Sequence, residues 1–175
     1  MTTKELWQQS NRWDAAGPEL LRLVDRKNQE YCLAPTHEEA ITTLVRDHIT
    51  TYRQLPQYLY QLDRKYRDEP RPRFGLLRGR EFWMKDLYTF DLDSEQASAT
   101  YDAVFDAYRR IFQRLEVPYV AVAADTGMIG GEQSHEFQIL APIGEDDLLL
   151  CQTCERAANV EVKEGKAILL RVLYP

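Results

Sequence analysis

The stretch KYRDEPRPRFGLLRGREFWMKD, Lys65 to Asp86, carries seven basic and four acidic side chains, in a chain whose formal net charge is −6. It joins two runs that alternate with a period of two, the signature of strands. On the first run Tyr58, Tyr60, Leu62 and Tyr66 share one face, and Asp63, Lys65, Arg67 and Glu69 share the other. Pro70 and Pro72 end that strand and open a stiff loop. The return run REFWMKDLYTF puts Phe82, Met84, Asp86, Tyr88 and Phe90 on one face, with Trp83, Lys85, Leu87 and Thr89 on the other. An arginine-rich hairpin of this kind has two readings. It is either a solvated hairpin laced with surface ion pairs, or a polyphosphate and base site. Arginine forks match phosphate, a carboxylate takes an exocyclic amine proton, and an aromatic face stacks a purine.

Outward from the hairpin, helices and strands mix. The pattern predicts a short amphipathic helix near Lys4 to Trp13 and a hairpin in LLRLVDRKNQEYCLAP turning at Lys27-Asn28. Thr36 with Glu39 three residues on reads as a capping box. Ile41, Leu44, Val45 and Ile49 then keep helical spacing until Pro56. Ser94 reads as the N-cap of a long helix whose buried stripe is Ala97, Tyr101, Val104, Tyr108, Ile111 and Leu115. VPYVAVAAD and SHEFQIL read as strands around a Gly127–Gly131 turn; in the latter Ser134, Glu136 and Gln138 form the polar face and His135 is a packed residue. The sum is an α+β fold, an antiparallel sheet flanked by helices.

The 175 residues suit one domain, and 44% hydrophobic with 29% charged residues is ordinary globular composition. An acidic balance argues against non-specific coating of DNA or membranes, so polyanion contact has to come from a local patch. No apolar run approaches the ~20 residues of a membrane span, and the start resembles neither a signal nor a transit peptide. Three cysteines do not make a disulfide framework. CQTC, Cys151 to Cys154, is half of a zinc site without a second pair, and zinc is not expected.

The string KYRDEPRPRFGLLRGREFWMKDLYTF resembles motif 2 of class II aminoacyl-tRNA synthetases, and is very similar to the version in bacterial-type prolyl-tRNA synthetases, in particular their mitochondrial branch. APTHEEA, ADTGMIGG and SHEFQIL resemble that family in the same order, over about Glu5 to Glu161. The resemblance implies a class II catalytic-core segment over 1–161, incomplete, followed by a divergent tail over 162–175. It implies ATP-dependent activation of proline and transfer to tRNA(Pro), with Mg²⁺ and ATP, and a homodimer in the full-length family. It implies a setting in the mitochondrial matrix, with the cytoplasm as the alternative.

By the same resemblance, Arg67 holds the α-phosphate and the amino-acid carboxylate and is the catalytic residue. Glu69 reads the adenine amine, Phe82 stacks under the ring, and Arg78 meets the γ-phosphate. Thr36 and Glu38 bind the prolyl amino group. Met84, Asp86 and Tyr88, following Phe82 at period two, line the proline pocket, with Ser134 and Glu136 beside it. Arg71 and Arg73 approach the tRNA acceptor end. Ala34 stands where the family usually has glycine. The segments matching motif 1 and motif 3 fall outside this sequence, so a chain of this extent is expected to be catalytically silent or nearly so. The rival expectation is a non-catalytic relative acting as a nucleic-acid-binding or regulatory subunit.

Overall fold

The computed structural model describes residues 1–73, 75, 77–141, 144, 146–151, 157–160 and 168–173. The chain forms two compact units, Met1–Tyr101 and Asp102–Pro175. In both, antiparallel pairing dominates and helices accompany the strands, which is the α+β class that the sequence pattern predicts.

The first unit begins with strand β1 (Thr2–Thr3), helix α1 (Lys4–Gln8) and helix α2 (Arg12–Ala15). The single helix expected near Lys4 to Trp13 is thus broken. Asn11 takes a left-handed conformation, φ 58°, which asparagine tolerates better than most residues. The break turns Trp7 and Trp13 into one core with Ala16, Leu20 and Cys32. Each indole has a cation against its face: Arg12 lies 5.1 Å from the Trp7 ring centroid and Arg22 lies 4.9 Å from that of Trp13. Strands β2 (Arg22–Val24) and β3 (Glu30–Cys32) pair antiparallel, and β1 adds to the free side of β3. Their turn runs through Lys27-Asn28 as expected, with Asp25 Oδ1 accepting from the Lys27 and Gln29 amides.

Helix α3 (Glu38–His48) starts at His37, not Thr36, and no side chain caps it. The capping box is therefore absent: the Thr36 hydroxyl donates to Glu38, and Glu39 turns inward to Ser10 and Arg12. Of the expected apolar stripe Val45 is buried while Leu44 is exposed, and the helix stops at His48, well before Pro56.

Strands β4 (Gln57–Tyr66) and β5 (Glu81–Phe90) pair over ten residues each, with Lys65 opposite Phe82, Asp63 opposite Met84 and Gln61 opposite Asp86. Strand β4 ends at Tyr66, so Arg67 and Glu69 belong to the loop and not to the strand. Backbone bonds fix where that loop departs. The Tyr66 amide donates to the Ala34 carbonyl, the Arg67 amide to the Arg80 carbonyl and the Asp68 amide to the Glu19 carbonyl. The two faces differ sharply. Tyr58, Tyr60, Leu62 and Trp83 are exposed, whereas Leu59, Gln61, Lys65, Phe82, Met84, Asp86 and Tyr88 are buried or half-buried.

Helix α4 (Ser94–Arg114) runs from the first unit into the second. Its cap is Asp93 rather than Ser94, because the Asp93 carboxylate accepts from the Gln96 amide. The stripe expected to be buried is largely solvated, with Tyr108, Ile111 and Leu115 exposed. In the second unit it is Phe105 and Phe112, with Tyr108, that pack against Phe137. Strands β6 (Val120–Ala123), β7 (His135–Leu140), β8 (Asp146–Leu150), β9 (Ala157–Asn159) and β10 (Ile168–Leu173) close a small barrel in the order β10-β7-β6-β9-β8. Val122 and Leu148 fill its interior together with Gln138. The Gln138 side of β7, read as its polar face, is therefore the inward one. His135, expected to be packed, is exposed because the Gln138 side of β7 is the inward one, and its ring only meets Phe105 edge-on at 5.1 Å. Residues 162–167 and Cys154 lie outside the described residues, so the zinc-knuckle reading of CQTC does too.

Among the described residues Trp7 is the largest fully buried side chain. Replacing it with alanine should destabilise the first unit by about 3–5 kcal/mol, the range for large-to-small core changes. Urea unfolding followed by circular dichroism measures this, and a loss below about 1 kcal/mol would mean that the Trp7 cluster is not the core of this unit.

Candidate active site

The inward face of the β4–β5 hairpin carries a compact polar cluster. Lys65 is 0% exposed, and its ammonium lies 3.2 Å from Asp86 Oδ1. The other carboxylate oxygen of Asp86 accepts from Gln61 Nε2 at 2.9 Å and from the Tyr88 hydroxyl. The register explains the meeting. Gln61 is directly opposite Asp86, while Lys65 is on the same face four residues further along and reaches back diagonally. Burial alone would push the Asp86 carboxyl up, but the hydrogen bonds from Tyr88, Lys65 and Gln61, with the Lys65 charge, hold it below its ordinary value. Burial and the bond to Asp86 push the Tyr88 phenol up to about 12.

The second layer is the loop before α3. The Tyr88 oxygen accepts from the His37 amide at 3.1 Å. Thr36 donates to Glu38 Oε1 at 2.7 Å, and Arg12 reaches both Glu38 Oε2, at 3.3 Å, and Glu39 Oε1, at 3.0 Å. Glu39 is itself buried and also accepts from Ser10 at 2.7 Å. Thr36 and Glu38 are thus held from two sides, by the hairpin through Tyr88 and by α2 through Arg12. Burial first, then the Lys65 charge, lowers the His37 imidazole below its ordinary value, so this ring favours the neutral form.

The third part is the loop between the strands. The Arg67 guanidinium lies 5.4 Å from the Phe82 ring centroid, so the two share one side of the sheet. Arg67 Nε sits 3.5 Å from Glu19 Oε1 without hydrogen-bond geometry; among the described residues this buried donor has no hydrogen-bond partner. Glu69 Oε1 accepts from the Arg71 amide at 3.0 Å and Oε2 pairs with Arg78 Nε at 3.0 Å. The Arg71 backbone bond chiefly, and Arg78 after it, lower the Glu69 carboxyl. Arg80 Nε donates to the Glu69 carbonyl, and Arg73 and Arg78 exchange backbone bonds at 3.0 and 3.2 Å. The arginines are therefore carried on a short, cross-tied loop.

Arg67, Glu69, Arg71, Arg73, Arg78, Phe82, Met84, Asp86 and Tyr88 are all on this hairpin, and the bond from the His37 amide ties the Thr36–Glu38 loop to it. Ser134 and Glu136 belong to the second unit, where Glu136 accepts from Gln138. Three residues of the network, Arg12, Gln61 and Lys65, carried no functional reading in the sequence. Their partners are 21 to 27 residues away in the chain, so no local pattern marks them.

Arginine stacked on an aromatic at the base of a basic loop is an arrangement whose chemistry suits phosphate and a planar base. The family model of the tRNA synthetase class II core domain (G, H, P, S and T) matches residues 21–162, and the chain belongs to that family. Among curated relatives, a proline–tRNA ligase of Geobacter metallireducens is 60% identical over 162 residues, covering 93% of this chain and 28% of the relative. The probable mitochondrial proline–tRNA ligase of Homo sapiens is 59% identical over 162 residues, covering 92% and 34%. That of Rattus norvegicus is 57% identical over 163 residues, covering 93% and 34%. The chain spans about a third or less of the length of these relatives, and bacterial and mitochondrial ones are similarly close.

Removing Lys65 alone strands a buried carboxylate. Lys65→Met should cost about 3–5 kcal/mol in urea unfolding at neutral pH, and adding Asp86→Leu should recover much of that loss. The acid side follows from linkage. A carboxyl held below its ordinary value contributes stability that is complete above pH about 4 and is lost as pH falls through its folded value. Asp86→Asn should therefore be less stable than the parent at pH 7 and show a shallower loss on acidification. A parallel acid dependence for the two would contradict the ionised Asp86 described here.

Proposed function

We propose that this chain is the motif-2 part of the catalytic core of a proline–tRNA ligase, which activates proline with ATP and transfers it to tRNA. The observation that carries the reading is Arg67, stacked on Phe82 with a buried donor still unused. Support comes from the family match and from relatives named as proline–tRNA ligases.

In this reading the proline carboxylate attacks the α-phosphorus in line, the bond to the bridging oxygen breaks, and pyrophosphate leaves. The 3′-terminal hydroxyl of tRNA then attacks the prolyl carbonyl and AMP departs. Arg67 neutralises the α-phosphate and orients the carboxylate. Phe82 stacks the adenine, and Glu69, whose oxygens retain lone pairs, accepts from the adenine amine. Arg78 takes the γ-phosphate, while Arg71 and Arg73 meet the tRNA acceptor end. Thr36 and Glu38 receive the prolyl ammonium, and Met84, Asp86 and Tyr88 form the pocket floor. Positioning and charge neutralisation supply the acceleration, and no side chain need act as general base. Mg²⁺ would enter with ATP as part of the substrate, bound to its phosphates. The proposed setting is the mitochondrial matrix, supported by the human and rat relatives; the bacterial relatives support the cytoplasm as the alternative. The homodimer is likewise carried over from the family.

The test is calorimetric titration with a non-hydrolysable sulfamoyl analogue of prolyl-adenylate. Saturable one-to-one binding is expected, and Arg67→Ala should weaken it by about ten- to a hundredfold, the value of charge-assisted hydrogen bonds. Equal affinity for the prolyl and alanyl analogues, or no effect of Arg67→Ala, would sink the assignment.

A further inference from the structure

We infer that Lys65 is a positioning residue that acts through Asp86 and Tyr88 to fix the Thr36–Glu38 loop, so that a buried charge under the sheet sets the shape of the amino-group site. The inference rests on the reading of Thr36 and Glu38 as the ligands of the prolyl ammonium.

The geometry is a directed chain of donors and acceptors. Lys65 donates to Asp86 Oδ1 at 3.2 Å, the Tyr88 hydroxyl donates to Asp86 Oδ2, and the Tyr88 oxygen accepts from the His37 amide at 3.1 Å. Each link determines the next. A lysine that is 0% exposed needs a carboxylate, because an unpaired buried ammonium is costly. With Lys65 and Gln61 in place, Asp86 is held ionised and acceptor-only. The Tyr88 proton must then point at Asp86, which leaves the phenol oxygen with its lone pairs free to accept. His37 supplies the amide, and His37 is the residue between Thr36 and Glu38. Helix α3 has no side-chain cap, so this contact replaces one at its N-terminus.

The same chain assigns Asp86 a role different from direct capture of the substrate. Its two oxygens already accept three hydrogen bonds, and its charge is matched by Lys65. A substrate ammonium gains little from such a neutralised pair. Glu38 is the better partner: its side chain is about a third exposed, and it is oriented by Thr36 and Arg12. Lys65, Asp86 and Tyr88 therefore shape the site from beneath, and Glu38 provides the charge that meets the ligand.

Tyr88→Phe removes one oxygen and keeps the packing, so it isolates the last link. Hydrogen exchange of the His37 amide, followed by NMR, should accelerate by about tenfold in this variant, the worth of one hydrogen bond. Amides of the Trp7 core serve as the internal control. Unchanged His37 exchange would overturn the relay. The first link is read in the Lys65→Met/Asp86→Leu double variant, which keeps the buried charge balanced and so should fold. There the His37 amide should exchange as fast as in Tyr88→Phe, and the Tyr88 phenol should titrate nearer its ordinary value of about 10. A protected His37 amide with the phenol still near 12 would show that the loop is held without Lys65. The ligand arm uses the sulfamoyl prolyl-adenylate analogue with AMP as reference. Tyr88→Phe should weaken the analogue about tenfold and leave AMP unchanged, whereas an equal loss for both would mean general loosening and defeat the proposal. If the parent chain binds neither compound, the functional reading fails while the exchange data still decide the relay.

Discussion

The buried ion pair of Lys65 and Asp86 is the constraint around which the first unit is arranged. A lysine with no exposed surface cannot be tolerated on a two-stranded hairpin unless a carboxylate faces it and the rest of its surroundings exclude water. That requirement fixes the register of β4 on β5, because a slip of one residue would carry Asp86 to the solvated face and leave the ammonium alone. It also accounts for the polar partners crowded around Asp86. Such a pair adds little net stability compared with apolar residues of equal size, but it penalises every wrong pairing heavily. The hairpin is consequently specified more by what the pair forbids than by what it contributes.

From that register the remaining placements follow. Arg67 is the first residue past β4 and is held there by its amide's bond to the Arg80 carbonyl, with its neighbour Asp68 tied to Glu19. Phe82 is the residue opposite Lys65, so the ring stands beside the departing loop and takes the Arg67 guanidinium on its face. Tyr88 stands opposite Leu59, two residues beyond Asp86 on the same face, within reach of the carboxylate below and of the His37 amide beside it. Arg12 adds an independent hold on Glu38 from α2, and the left-handed turn at Asn11 is what aims α2 in that direction. The candidate site thus draws on a hairpin, a helix start and a broken N-terminal helix, each positioned by different physics.

What could be read from the amino-acid order follows the same division. The two faces of the hairpin were legible because successive side chains of a strand point to opposite faces, which sorts residues 58–66 and 82–90 whatever their polarity. The polarity of those faces was less so. Tyr58, Tyr60 and Leu62 are the exposed ones, and the charged Lys65 is inside. Local rules failed where tertiary contacts competed with them. Thr36 satisfied the capping-box spacing, yet its hydroxyl found the Glu38 carboxylate, and Glu39 was drawn away by Arg12 and Ser10. The stripe along α4 failed for a similar reason, since the aromatic residues Phe105 and Phe112 packed on Phe137 in preference to the aliphatic positions. In β7 a polar residue, Gln138, is buried with its neighbour Glu136 as a partner, which alternation alone assigns to solvent.

The concentration of arginine in an acidic chain is the remaining oddity, and the ion pairs explain how it is tolerated. Arg67 faces Glu19, Arg78 faces Glu69 and Arg80 faces Asp68, at 3.5, 3.0 and 3.6 Å. In every pair the arginine is more than a third exposed, and exposed pairs are worth only about 0–1 kcal/mol each. They are strong enough to hold the guanidinium groups apart and in place, and weak enough to be exchanged. A polyphosphate offers each fork more acceptor oxygens and more charge than a single carboxylate, in a bidentate geometry that guanidinium matches. Moving Arg67 from Glu19 to a phosphate therefore sacrifices a poorly aligned contact and uses a donor that is otherwise buried without a partner. On the proposed function, Glu19, Asp68 and Glu69 would serve as placeholders that keep a dense cationic cluster folded until a ligand with higher charge density takes over the contacts.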